Sequence, residues 1–202
     1  MTLPPVEPPG GVRIIDLEAS NEGLVGEVAQ LLLDGFRVHS PGWFDGLDDA
    51  LDEVHESFDE DRISRVAVDA SGSAVGFIGG IKQYDGLTWE LHPLVVREDA
   101  RLRGLGRALV RDLELRVVAR GGESMWLGTD DEDGRTSLSA VDLYDDPLGH
   151  LGRIENPGWH PFEFYQRVGY SIVGVLPDAN GPGRPDIFLA RRLVPREASK
   201  AP

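Results

Sequence analysis

The sequence predicts an α/β fold, a single domain whose mixed, mostly antiparallel sheet is flanked by helices. The chain has 202 residues, enough for one hydrophobic core and few for two. Hydrophobic residues make up 41% and charged residues 27%, the balance of a globular domain. Strand and helix patterns also mix along the chain, and three strand patterns follow one another in the middle.

The N-terminal part is predicted to form a strand and two helices. Val12–Leu17 alternates weakly, as a strand does, and apolar residues at helical spacing predict a helix over Glu22–Leu33. The turn before the second helix contains Trp43 and Phe44. The predicted apolar stripe of that helix is Leu47, Leu51, Val54 and Phe58. Its opposite face is almost wholly acidic.

The middle of the chain is predicted to form an antiparallel meander followed by a helix. Short turns connect the three predicted strands, which are Ser64–Asp69, Ala74–Gln83 and Thr88–Val96. A helix over Gly104–Arg120 follows, with Leu105, Leu109, Leu113 and Val117 as its buried stripe. A buried strand is expected over Ser124–Thr129.

The C-terminal part is predicted to contain a long acidic loop over 130–159, a helix and two strands. Proline and glycine bound the helix at Pro161–Val168, and the strands are Tyr170–Leu176 and Ile187–Ala190. We expect three regions: a disordered proline-rich head (1–11), the folded domain (12–194) and a flexible tail (195–202).

The net charge of −15 is concentrated in two segments. Residues 45–61 contain nine acids and no Lys or Arg, and residues 130–146 contain seven acids against Arg135. Such segments repel nucleic acid and attract a cation, although a solvated face kept for solubility is an equally good interpretation. Residues 100–111 are basic instead: they contain four arginines and no acid, which suits an anion.

Composition excludes several classes of function. Without cysteine the chain has no thiolate nucleophile, and the five histidines show no metal spacing, so no metal is predicted. The first residues lack the basic and apolar regions of a signal peptide, and no apolar run approaches the ~20 residues of a bilayer span. We therefore expect a cytoplasmic protein with neither a nucleic-acid nor a membrane partner.

A turn rich in arginine and glycine leads into the helix at 104. It contains Arg101, Arg103, Gly104, Gly106 and Arg107. Glycines expose backbone N–H groups and the helix N-terminus is its positive pole, so this turn suits phosphates. The glycine spacing does not match a nucleotide-hydrolase or dinucleotide motif.

The strand at 88–96 carries candidate acid–base residues. Alternation places Glu90 and His92 on one face. Pro93 has no N–H for the ladder, so it predicts either a bulged, splayed strand that opens a groove or an ordinary edge strand. A carboxylate or an imidazole on such a face can accept a proton from a substrate. Glu90 is preferred because it also attracts a cation; His92 is as well explained as a packed strand residue.

These residues resemble a known family. Arg101-x-x-Gly104-x-Gly106, after a strand ending Leu94-Val95-Val96, resembles the acetyl-coenzyme A pyrophosphate motif of the GCN5-related N-acetyltransferase (GNAT) superfamily. Strings from Trp89 to Val96, Leu127 to Asp131, His160 to Tyr165 and Gly174 to Gly181 are similar to its aminoglycoside 6′-N-acetyltransferases. The resemblance spans about residues 84–194.

The resemblance implies an acetyltransferase that uses acetyl-CoA, with a role in antibiotic resistance. The turn would hold the pyrophosphate, the Leu94 N–H would polarise the thioester carbonyl and the Val96 backbone would bind the pantetheine arm. Tyr165 would lie beside the coenzyme sulfur and protonate the thiolate; from spacing alone it is better explained as a core tyrosine.

The acceptor would be a cationic small molecule. Trp43 and Phe44 are candidates for the wall of its pocket, although two aromatics beside a turn are also typical of a core. The candidate carboxylates for its ammonium groups are Asp130, Asp131, Asp142 and Glu155. Two alternatives stay open: a polyamine or protein acetyltransferase, and a non-catalytic binder of acyl-CoA or cationic drugs. A homodimer is also implied by the resemblance.

Overall fold

The computed structural model of the protein describes residues 4–195, which divide into two compact units. The first comprises the chain up to Gly35, Asp45–Met125 and the chain from Arg192 onward. The second comprises Phe36–Phe44 and Trp126–Arg191. Residues 1–3 and 196–202, part of the predicted head and tail, lie outside the described residues, so the division into head, domain and tail stays a prediction.

Four antiparallel strands form the sheet of the first unit. The strands are β1 (Arg13–Asp16), β2 (Arg62–Val68), β3 (Ala74–Gln83) and β4 (Thr88–Val96). They pair in chain order, each antiparallel to the next, which confirms the predicted meander. Alternating residues and short turns favour pairing between sequence neighbours, and β3 and β4 have the predicted bounds.

Helices α1 (Glu22–Phe36), α2 (Leu47–Glu56) and α3 (Leu105–Ala119) follow the predicted order. The buried stripe of α3 contains the predicted Leu105, Leu109, Leu113 and Val117. In α2 the predicted stripe is only partly buried, because the buried side of the helix is rotated away from it: Val54, as predicted, and Ala50 are fully buried, whereas Leu47 is 41% exposed. This rotation brings an acidic residue inward.

The second unit contains most of β5 (Ser124–Asp130), then α4 (Pro147–Leu151), α5 (Phe162–Arg167), β6 (Ser171–Leu176) and β7 (Asp186–Arg192). These strands lie in the order β5-β7-β6, with β6 antiparallel to β7. The strands and helices of residues 4–195 confirm a mixed α/β fold with a mostly antiparallel sheet.

The prediction of one long loop over 130–159 is wrong. The segment contains a 3-10 helix at Ser137–Ala140 as well as α4. Asp146 caps α4, since its Oδ1 accepts a hydrogen bond from the Gly149 N–H at 3.0 Å, and Pro147 occupies the first helical turn. In the described part of the chain no helix has both the length and the apolar character needed to cross a bilayer.

Candidate active site

Strand β4 presents its polar residues on one face. Buried and half-buried residues alternate along the whole strand, with Trp89, Leu91, Pro93 and Val95 buried. Glu90, His92, Leu94 and Val96 therefore share the half-buried face, as the alternation predicts. This is the face on which the candidate catalytic groups of the first unit lie.

A bulge interrupts β4 at Pro93, and it confirms the predicted break in pairing. Ile78 pairs with Leu94 and Gly80 pairs with Leu91, so Gly79 alone opposes two residues of β4. A Cβ on Gly79 would lie inside van der Waals contact with the carbonyl oxygen of His92 and 3.1 Å from its carbonyl carbon. Only glycine lets the two backbones approach this closely.

Glu90 lies half-buried on the polar face and accepts a hydrogen bond from its neighbour on β3. Gln83 Nε2 donates to Glu90 Oε2 at 3.3 Å. Burial raises the pKa of Glu90, while this hydrogen bond and the charge of Arg62 oppose the rise. A carboxylate with a raised pKa is a better proton acceptor than an exposed one, which suits a general base.

His92 is neutral at pH 7. Burial, and after it the charge of Arg62, lowers the pKa of His92 from 6.5 to about 4. Its Nε2 lies 3.6 Å from Oε1 of Glu53 on α2. Glu53 is not among the causes of the lowered pKa of His92, and burial raises the pKa of Glu53 as well, opposed by the charge of Arg62.

The arginine and glycine turn precedes α3 directly. Gly104, with φ +92°, is the N-cap of α3, and neither a capping side chain nor an acid occupies the first turn. The first N–H groups of α3 are therefore available to an anion. Arg103 and Arg107 are exposed beside them. The local geometry suits a phosphate group.

Two of the four arginines at 100–111 have other partners. Arg101 Nε donates to the carbonyl of Val96 at 2.9 Å, so its side chain ties the turn to the end of β4. Arg111 is buried, where it pairs with Glu114 at 2.9 Å and donates to the carbonyl of Pro4 at 2.6 Å. Arg111 is thus not part of an exposed basic surface, contrary to the expectation from composition.

In the second unit, Tyr165 is buried on α5. Its ring lies edge-on to the rings of Phe164 and Tyr170, at centroid distances of 5.1 and 6.1 Å. Burial raises the pKa of the Tyr165 phenol above its ordinary value. The phenol therefore stays protonated at neutral pH, so it can donate a hydrogen bond or a proton.

Asp131 is fully buried, which corrects its assignment as a residue that binds the acceptor. Its carboxylate accepts hydrogen bonds from the N–H groups of Arg135 and Thr136 and from the Thr136 hydroxyl, at 2.6 to 2.9 Å. These bonds hold its own loop together, so the carboxylate is inaccessible to a solute.

Asp130, by contrast, is half-buried, and both its backbone carbonyl and its side chain accept hydrogen bonds. His160 Nε2 donates to its carbonyl at 2.9 Å, and Asn180 Nδ2 donates to its carboxylate. Asp142 and Glu155 are exposed: the Asp142 carboxylate accepts from the N–H of Tyr144, and the backbone of Glu155 pairs with Ser137. Their assignment to the acceptor stays a prediction.

The two predicted pocket aromatics belong to a cluster of three rings. Trp43 stacks on Phe36 at a centroid distance of 4.4 Å and an interplanar angle of 4°, and Phe44 contacts both rings edge-on. Both predicted residues are half-buried.

Among residues 4–195, no group of three or more His, Asp or Glu side chains is arranged to hold a metal ion.

Comparison with known proteins identifies the class. The sequence profile of the acetyltransferase (GNAT) family matches residues 27–149, more than half of the chain. The chain therefore belongs to the acetyltransferase (GNAT) family. No curated protein sequence matches it.

Solved structures narrow the similarity within that family. An aminoglycoside 6′-N-acetyltransferase in complex with coenzyme A is 42% identical, with a TM-score of 0.84, and the match covers 92% of this chain and 99% of that one. The aminoglycoside 6′-N-acetyltransferase from Enterococcus faecium is 41% identical with a TM-score of 0.81, at the same coverage. An aminoglycoside 6′-acetyltransferase type Ii is 35% identical with a TM-score of 0.68 over the same shares.

Sequence patterns missed three residues around Glu90 and His92. Gly79 makes the bulge possible, Gln83 binds Glu90, and Glu53 faces His92. The positions of Gly79 and Gln83 opposite β4 follow from the pairing register of β3 and β4. The turn between these two strands would have indicated that register. Glu53 follows from the rotation of α2 about its axis, for which the sequence has no clear signal.

Proposed function

We propose that the protein transfers the acetyl group of acetyl-CoA to the 6′-amine of an aminoglycoside. The observation that carries the proposal is the polar face of β4, where Glu90 and neutral His92 lie beside a bulge. A short connection leads from this strand to the uncapped N-terminus of α3. The similarity to aminoglycoside 6′-N-acetyltransferases at 41 to 42% identity favours this acceptor.

The donor would bind at the start of α3. Its pyrophosphate accepts hydrogen bonds from N–H groups at Gly104 and Gly106, and the helix dipole favours its negative charge. Arg103 and Arg107 neutralise the phosphates from the exposed side, while Arg101 holds the turn against β4. The backbone of Val96 would bind the pantetheine arm, as in the family that the sequence resembles.

The transfer is a direct attack. The amine nitrogen forms a bond to the thioester carbonyl carbon, the carbon–sulfur bond breaks, and no acyl-enzyme forms. The Leu94 N–H stabilises the negative charge that develops on the carbonyl oxygen. Because the chain has no cysteine, no protein thiol can take up the acetyl group on the way.

The reaction removes two protons from the acceptor nitrogen and adds one to the leaving thiolate. Glu90 accepts the first from the ammonium, directly or through a water molecule, and neutral His92 leaves that carboxylate without a cationic partner on its own strand. Tyr165 gives its proton to the thiolate, and the second proton, which the nitrogen loses as the amide forms, restores the phenol through solvent. The raised pKa of Tyr165 keeps the phenol protonated until the thiolate forms.

The acceptor is expected to be polycationic. The half-buried Asp130, together with Asp142 and Glu155, would bind ammonium groups of the acceptor, and the rings of Trp43 and Phe44 would contact its apolar faces. A homodimer and a cytoplasmic location also stay predictions; light scattering measures the first and cell fractionation the second.

Release of free CoA thiol tests the proposal. Because the protein has no cysteine, a thiol reagent reports the coenzyme alone. We expect turnover with an aminoglycoside that has a 6′-amine and none with its 6′-hydroxyl analogue. Faster turnover with spermidine or a lysine peptide would favour the alternative acceptors, and tight binding without thiol release would indicate a non-catalytic binder.

The role of Glu90 is tested in the same assay. Glu90→Gln is expected to lower kcat by ~10²–10⁴-fold, because general-base catalysis contributes about that much. Glu123→Gln, at an exposed glutamate of the same unit, is the matched control and should keep the wild-type rate. If Glu90→Gln kept full turnover when chemistry limits the rate, Glu90 would not be the base.

A further inference from the structure

The acidic segment 45–61 contains one carboxylate unlike the others. Eight of its nine acids are exposed, which fits a solvated face, and Glu53 alone is half-buried. Its side chain is 20% exposed. The position follows from the rotation of α2, because Ala50, Val54 and Ser57 are buried and Glu53 lies along the same side of the helix.

The Glu53 carboxylate is incompletely satisfied. Its Oε1 is buried and has no hydrogen-bond partner among the described residues. The 3.6 Å to His92 Nε2 exceeds hydrogen-bond length. A buried carboxylate oxygen without a hydrogen-bond donor is energetically unfavourable. A donor from a bound ligand would therefore lower the free energy of the site.

The charges around Glu53 suit a cation. Across from α2, β4 presents Glu90 and neutral His92 on its polar face. On β2, Arg62 forms an ion pair at 3.6 Å with the exposed Glu56, which adds a further negative charge near Glu53. Burial raises the pKa of Glu53; Arg62 opposes this and Glu56 adds to it. A bound ammonium group would replace the missing donor and keep Glu53 ionised.

We propose that Glu53 determines specificity for the acceptor by binding a second ammonium group of the polycation, while Glu90 serves the reacting amine. The inference rests on the proposed function and deepens it. A polycation places ammonium groups several ångströms apart. Glu53 lies beside His92, and Glu90 precedes His92 on the same strand face, so two carboxylates are available for two of these groups. An acceptor with one amine cannot use both.

Kinetics of Glu53→Gln test the inference, with Asp52→Asn, at the exposed preceding residue of the same helix, as the matched control. Glutamine keeps the shape of the side chain and removes its charge. We expect the KM for a multiply charged aminoglycoside to rise about tenfold or more, as loss of a charge-assisted hydrogen bond requires. The kcat, the KM for acetyl-CoA and the KM for a single-amine sugar should stay within about twofold. Asp52→Asn should change none of them.

Two outcomes would overturn the inference. An unchanged KM for the aminoglycoside would show that Glu53 does not bind it. A fall in kcat that is equal for single-amine and polycationic acceptors would show that Glu53 acts through His92 instead. Glu53→Asp, which keeps the charge on a shorter side chain, should give an intermediate KM if the charge itself is recognised.

Calorimetry separates this inference from the proposed function. Titration of the aminoglycoside into the protein without acetyl-CoA measures binding alone. A wild-type protein that binds the aminoglycoside but releases no thiol would refute the acetyl transfer. The Glu53 inference would still be supported if Glu53→Gln weakened that binding about tenfold, and it would be refuted if both proteins bound equally.

Discussion

Replacement of Gly79 by alanine should disrupt the bulge on which the polar face of β4 depends. The new Cβ would clash with the carbonyl oxygen of His92 and lie 3.1 Å from its carbon and 3.4 Å from Pro93 Cδ. The first two contacts are with backbone, which cannot rotate away as a side chain can. The bulged strand would therefore have to move.

Gly80→Ala is the matched control. Its Cβ would lie 2.9 Å from Leu113 Cδ1, the end of a side chain that can change rotamer, and 3.6 Å from Trp89. Both substitutions add one methyl group to the same strand, so their effects on the unfolded chain are the same. The difference between the two variants isolates the backbone clash.

The expected cost of Gly79→Ala is about 2 kcal/mol. Overpacking typically destabilises by ~1–3 kcal/mol, and the backbone clash places this site at the upper end. The reduced entropy of the unfolded chain offsets ~0.4–1 kcal/mol. For a chain of this length about 2 kcal/mol lowers Tm by ~4–8 °C, whereas Gly80→Ala should stay within ~1 kcal/mol of the wild type.

Urea and thermal unfolding measure the stability difference, and thiol release measures its effect on catalysis. Because movement of the bulge displaces the Leu94 N–H, we expect kcat to fall more in Gly79→Ala than in Gly80→Ala. Equal stability and equal kcat in the two variants would refute the argument that the close approach of β3 and β4 shapes the site.

Two further predictions follow from the titratable groups. The pKa of His92 falls from 6.5 in the unfolded chain to about 4 in the fold, so His92 contributes ~3 kcal/mol of stability above pH 6.5 that is lost as the pH falls towards 4. Urea titrations between pH 7 and 4 measure the free energy of unfolding of the wild type and of His92→Gln. As the pH falls, this free energy should decline by ~3 kcal/mol less in His92→Gln than in the wild type. An equal decline in both proteins would contradict the lowered pKa of His92. Tyr165→Phe keeps the buried ring and removes the hydroxyl, so single-turnover thiol release should slow ~100-fold with the acceptor KM unchanged, whereas a wild-type rate would exclude Tyr165 as the proton donor.

The turn before α3 and the meander are features that local sequence patterns predicted. Strands β3 and β4 have the predicted bounds, because alternation and short turns are local features that tertiary contacts did not override. Pro93 predicted the bulge because the loss of one N–H acts wherever the strand lies. The arginine and glycine motif likewise predicted the start of α3 and the family of the chain.

Tertiary structure decided the direction in which particular side chains point. Periodicity determines the spacing of apolar residues along α2, but its rotation depends on what it packs against, and the small Ala50 gave no signal that it is buried while Leu47 is exposed. Asp131 and Arg111 look like surface charges in the sequence, yet their own loop and Glu114 supply the partners that make their burial favourable. The sequence by itself determined most of the elements, the bulge and the arginine and glycine turn, whereas only the folded chain decided that Glu53, among nine acids, faces His92. The reason is that backbone preferences act over a few residues, while the burial of a charge depends on partners distant in the chain.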